Sequence, residues 1–153
     1  MRKLTQVVTY LSLMIIAVSC GPNSDSADSQ PGLQLESGWV REAPPNATAM
    51  AGYAVINNHT SQELILIGAS SPSFNSIEFH RSIQKDGMFR MVRQETLTAP
   101  AQGKLELKPG DFHLMLMSPK EALRDGDKVE ITLDWSDGQQ MEVTLPVKKA
   151  TGG

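Results

Sequence analysis

The sequence predicts an all-β sandwich in a single domain, and three observations carry that prediction. From Leu33 onward apolar residues recur with period two or in short runs, as in strands that turn alternate side chains to a core. Pairs suited to tight reversals punctuate the pattern: Asn57-Asn58, Asp86-Gly87, Pro109-Gly110, Asp125-Gly126 and Asp137-Gly138. No stretch shows the period of about 3.6 residues that a long amphipathic helix requires. Such regular punctuation suits a Greek-key arrangement.

Taken in order, residues 1–19 read as a secretion signal. Arg2 and Lys3 precede an apolar run from Val7 to Val18 that is too short to cross a membrane as a stable helix. The run closes on Ala17-Val18-Ser19-Cys20, which is similar to a lipobox, with Ala17 where Leu is commonest. Cys20 is the lone cysteine, with no partner for a disulfide, and is the expected lipidation site. The alternative is an ordinary cleaved signal and a soluble periplasmic protein.

Residues 20–32 follow as the lipidated Cys and a tether. From Gly21 to Gly32 only Ala27 is apolar besides proline, so the segment cannot bury enough surface to order itself. As a coil it reaches about 20 Å. Gly21 rather than Asp after the Cys resembles lipoproteins sent to an outer membrane. Strands are then expected over 33–41, 49–57, 63–69, 76–83, 88–95, 103–107, 112–117, 128–135 and 140–146, with one helical turn at 122–124. Residues 33–149 form the domain and 150–153 a frayed tail. Without residues 1–19 the chain carries 12 basic against 17 acidic side chains, a charge of −5 that argues against nucleic acid as a partner.

The spacing of four residues carries the chemistry. His80 is followed eleven residues on by Met91, twenty-two later by His113, and two further by Met115. Two imidazoles and two thioethers are neutral, fairly soft donors that suit Cu(I) and not Mg, Ca or Mn. Zinc seldom takes Met. A four-residue loop at 84–87 sets His80 opposite Met91 on one strand face, with Cβ atoms about 5 Å apart. His113 and Met115, two apart in a strand, share a face and form a second arm. Met88 and Met117 are expected to shield the metal, whereas Met50 and Met141 read as core and His59 as a turn residue. Arg81, Arg90 and Arg93 form either a solvated strand face or a surface that steers an acidic partner. Trp39 and Trp135 read as packing.

The pattern H-x10-M-x21-H-x-M resembles the signature of the PCu(A)C periplasmic copper chaperones. Gly38-Trp39-Val40-Arg41, Gly52-Tyr53, the run Pro109-Gly110-Asp111-Phe112-His113-Leu114-Met115 and Leu145-Pro146-Val147 extend the likeness over roughly residues 37–148. Arg81 stands where the family has an optional Met, and Phe89 where a further Met is common. The resemblance implies a cupredoxin-like sandwich and a chaperone that binds one Cu(I) and delivers it to an envelope partner, an oxidase subunit or assembly factor, for the copper centre of cytochrome c oxidase. A monomer is expected. Storage or resistance, and a β-sandwich that binds proteins but no metal, are the alternatives. Blue-copper electron transfer would need a Cys beside two His. An enzyme is not expected, for Cys-x-x-Cys, Gly-x-Ser-x-Gly and His-Glu-x-x-His are all missing.

Overall fold

A computed structural model describes residues 32–149. The expected signal, Cys20, all but the last residue of the tether, and the tail lie outside them. Ten strands make up the described chain: β1 (Leu33–Arg41), β2 (Ala49–Asn58), β3 (Leu64–Ser70), β4 (Phe74–Lys85), β5 (Met88–Gln94), β6 (Leu97–Ala99), β7 (Gly103–Leu107), β8 (Phe112–Pro119), β9 (Lys128–Trp135) and β10 (Gln140–Lys148). They hydrogen-bond in the order β5-β4-β8-β2-β1-β10-β9-β3-β6, with β7 also on β2. All pairings are antiparallel except β1 with β10, where Val40 lies beside Val147 and the two halves of the sandwich join.

The all-β sandwich expected from period-two patterning is what forms. Alternate residues of nearly every strand enter one core: Val40, Ile56, Leu66, Leu114, Leu116, Ile131, Trp135, Met141 and Leu145 are all essentially buried. Burying each side chain of this size contributes about 1.5–3 kcal/mol. Met50 and Met141 belong to that core, and Trp135 sits in it. Two details differ from expectation. Residues 122–124 make no helical turn, because Asp127 instead accepts from the Arg124 N–H to close the loop over 124–127. The three-residue β6 appears as an edge strand against Leu64–Leu66.

The third difference bears on the site. Asp86 and Gly87 both adopt positive φ, 54° and 76°, which is the backbone of a two-residue reversal. The loop is therefore two residues and not four. Lys85 pairs with Met88, Ser82 with Met91 and His80 with Arg93. The expected pairing of His80 with Met91 is corrected by two positions. Since side chains alternate with period two, that shift preserves the face, and Met91 becomes the diagonal neighbour of His80.

Candidate metal centre

The outer face of the sheet, opposite the core, gathers the predicted donors. On β8, Leu114 and Leu116 point into the core, so His113, Met115 and Met117 point out. His113 lies directly opposite His80 on β4, and Met115 opposite Glu78. The imidazole centroids are 6.0 Å apart. Met91 approaches from β5 on the Ser82 side of the imidazole row, and Met115 from the Glu78 side. The structure thus brings His80, Met91, His113 and Met115 to one face of three adjacent strands.

Exposure falls steeply across that face. Met91 is 60 % exposed, His80 half-buried and His113 only 2 % exposed. Tyr53 on β2 covers His113 from the far side, with ring centroids 6.4 Å apart, and Trp39 stacks on Tyr53 at 4.8 Å. The Arg41 guanidinium lies over both of those rings. A metal would be held against a buried imidazole and reached from the open thioether.

A hydrogen bond at one ring nitrogen fixes which nitrogen of each imidazole keeps its lone pair. His113 Nδ1 is 3.0 Å from the Asp111 carbonyl oxygen, an acceptor only, so Nδ1 carries the proton and Nε2 the lone pair. His80 Nε2 is 2.9 Å from Glu78 Oε2, so its proton donates there and Nδ1 is left free. Both free nitrogens, His80 Nδ1 and His113 Nε2, are buried without a hydrogen-bond partner among the described residues. Buried polar atoms are nearly always satisfied, and two unpartnered lone pairs on neighbouring imidazoles suit an electrophile. Among the described residues no three His, Cys, Asp or Glu side chains are placed to share a metal, and the soft donors that share this face with the imidazoles are the thioethers of Met91 and Met115. That donor set fits Cu(I).

Glu78 and Asp111 are the residues that sequence reasoning missed. A carboxylate two positions before a strand His shares its face, and that signal was present for Glu78. Its carboxyl is held below the usual carboxylate range, mainly by the hydrogen bond from His80 and secondarily by Arg93, whose guanidinium is 3.2 Å away. The Asp111 carbonyl is set by the turn Lys108-Pro109-Gly110-Asp111, closed by the Asp111 N–H on the Lys108 carbonyl, with Gly110 at φ 83°. The same carbonyl accepts from the Ser82 N–H, and the Asp111 carboxylate binds Arg81 at 2.9 Å.

Met88 does not qualify as a shield. Its side chain leaves the opposite face of β5 from Met91, paired with Lys85. Met117 shares the face of His113 but lies farther along, opposite Ser76. Position 81, adjacent to His80, also projects away from the donors, where Arg81 stacks on Phe112 at 4.6 Å. His59 contacts Gln34 and lies off this face.

These observations meet an independent one. The LpqE-like family, described as lipoproteins, matches residues 33–147. The chain belongs to the LpqE-like family. The lipoprotein-named Lxx21020 of Leifsonia xyli subsp. xyli is 30 % identical to it over 98 % of this chain and 93 % of its own. In structure this LpqE-like domain is similar to the copper-bound PCuAC domain from PmoF2, with TM-score 0.67, 21 % identity, and 78 % and 94 % of the two chains covered. It also resembles Cu(I)-DR1885 from Deinococcus radiodurans, with TM-score 0.58, 32 % identity, and 76 % and 78 % covered. The fold is that of the PCuAC domain, as the sequence resemblance implied. Among the described residues no helix is long and apolar enough to cross a membrane.

Burial also marks Tyr53, pushing its hydroxyl above the ordinary value of 10.0 despite the opposing charge of Arg41. A raised folded-state value means the neutral form favours folding. That contribution is complete below pH about 10 and is lost as pH rises through the folded value. Tyr53 is the single tyrosine from Gly21 onward. Absorbance at 295 nm on that fragment is expected to give a midpoint above 10 while the near-ultraviolet dichroism stays native; a midpoint at or below 10 contradicts the burial argument.

Proposed function

We propose that this LpqE-like protein is a Cu(I) carrier of the cell envelope. It binds one ion through His80 Nδ1, His113 Nε2 and the sulfurs of Met91 and Met115, and passes it to a copper-accepting partner. The observation that carries this reading is the pair of buried imidazole lone pairs, each oriented by a bond to its other nitrogen and lacking a proton donor. Glu78 acts as the carboxylate behind a ligating His, an arrangement that orients the ring and raises its basicity. The copper-bound neighbours support the same cargo.

The gradient of exposure suits transfer. Met91, on the edge strand, can be exchanged for a recipient's donor while His113 still holds the ion. Thioethers do not form disulfides in an oxidising compartment, although they can oxidise to sulfoxide. By resemblance, the recipient is the copper centre of cytochrome c oxidase or a factor that assembles it. Lipid attachment at Cys20 follows from the lipobox-like ending and agrees with the lipoprotein-named relative.

Competition for Cu(I) against a chromophoric chelator, with the fragment from Gly21 to Gly153, is expected to show one tightly held ion per chain. Deletion is expected to impair oxidase assembly when copper is scarce. Loss of survival only at excess copper would instead assign storage or resistance, and no Cu(I) binding would leave an interaction lipoprotein.

A further inference from the structure

β5 lies at one end of the strand order, so one of its edges pairs with β4 and the other is open among the described residues. Natural edge strands are shielded by charged side chains, bulges, proline, brevity or a covering loop, and of these β5 has only the charges of Arg90 and Arg93. β5 has seven residues in unbroken register with β4 and contains no proline. It also exposes four large apolar side chains, Met88, Phe89, Met91 and Val92, with Phe89 at 76 %. That is more apolar surface than a solvated edge strand of a small domain needs.

Hydrogen-bond alternation shows what the edge offers. In a two-residue hairpin the pair flanking the turn, Lys85 and Met88, is the bonded one, so Gln84–Phe89 and Ser82–Met91 are non-bonded pairs. Accordingly the Ser82 N–H turns away from β5 and donates to Asp111. The N–H and C=O of Phe89 and Met91 therefore point outward along the open edge. Their side chains lie on the face of the metal centre. A strand paired with Met91 would lie beside its thioether.

Charge selects the occupant. Along this hairpin Arg93 is paired with Glu78 and Arg81 with Asp111, which leaves Lys85 and Arg90 against Asp86, although the chain as a whole is acidic. Lys85 and Arg90 make no ion pair among the described residues. A second copy would oppose cations to cations across the shared edge, whereas an acidic strand is attracted. A lipid surface is disfavoured because the apex of the hairpin is Lys85-Asp86-Gly87, with a carboxylate leading and the apolar side chains ranged along both faces behind it.

We propose that the open edge of β5 is the docking site for an acidic extended segment of the copper-accepting protein, which adds to the sheet as a further strand and so places the recipient's donors next to Met91. This rests on the carrier reading above. Backbone pairing supplies the contact, alternate apolar side chains fill against Phe89 and Met91 or Met88 and Val92, and the cations set the preference.

Two heptapeptides test it, one alternating Glu with Val and one alternating Lys with Val, each added to the 15N-labelled fragment from Gly21, which contains every described residue. The Glu peptide is expected to shift and protect the Phe89 and Met91 amides, and the Lys peptide is not. Lys85→Glu with Arg90→Glu is expected to weaken the Glu peptide by about tenfold or more while leaving Cu(I) affinity unchanged, since neither side chain lies on the donor face. Equal response to both peptides, perturbation away from β5, or binding only to vesicles of phosphatidylglycerol would overturn the proposal. Failure of the wild-type fragment to hold Cu(I) would count against the carrier reading alone, because the peptide shifts are read with and without the ion.

Discussion

Replacing Met91 and Met115 together by Leu is expected to weaken Cu(I) binding by more than about a hundredfold, above the loss that removal of a merely supporting residue causes. Leu matches Met closely in volume, so the substitution removes two sulfur lone pairs and little else. Met91 is 60 % exposed, and a change there disturbs no core contact. Met115 lies on the outer face between Glu78 and Ala51. Stability should therefore stay within about 1.5 kcal/mol of wild type. The imidazole pair alone would still hold Cu(I), as a linear two-nitrogen site of lower affinity. Chelator competition separates the outcomes. Unchanged affinity in the double variant would show that the thioethers are not ligands.

Trp135→Ala is expected to produce the largest loss of stability among single substitutions. Trp135 ends β9, packs at 1 % exposure in the core and pairs with Leu66 of β3. Truncating a buried Trp costs about 3–5 kcal/mol, a large share of the roughly 5–15 kcal/mol that holds a domain folded. Its indole Nε1 is buried without a partner among the described residues, so the wild-type side chain already carries a penalty of about 1–3 kcal/mol. The net loss should accordingly fall near the lower end of the range, a drop in melting temperature on the order of 15 °C. Trp135→Phe, which removes the unpartnered donor and leaves a smaller void, should cost much less. Thermal unfolding followed by far-ultraviolet dichroism measures both. Equal effects of Ala and Phe would mean that packing volume is not what Trp135 supplies.

How legible this was in the sequence depended on what each feature requires. Period-two patterning found the strands because a single buried face imposes it locally, as at Gln140–Lys148, where Met141, Val143, Leu145 and Val147 alternate inward. Leu97–Ala99 escaped notice because three residues are too few to show a period. Asp86-Gly87 was readable as a turn, yet its length was misjudged. A loop at 84–87 was the expectation, whereas positive φ at both Asp86 and Gly87 closes the reversal with those two residues alone. The donor face survived that error only because the displacement was even. Glu78 was visible as the carboxylate two before His80. The seating of His113 beneath Tyr53 was not, because it needs β2 beside β8, a neighbour relation that no local pattern encodes.

The carrier reading requires that two imidazole lone pairs, His80 Nδ1 and His113 Nε2, meet one Cu(I). Long-range 1H–15N correlation of the His side chains, recorded on the fragment from Gly21 without and with one equivalent of Cu(I), tests it most directly. In the metal-free protein these two nitrogens are expected to be unprotonated and their ring partners protonated. Cu(I) is expected to shift both of these nitrogens while leaving His59 unchanged. The opposite tautomer at either residue, or copper shifts confined to His59, would contradict it.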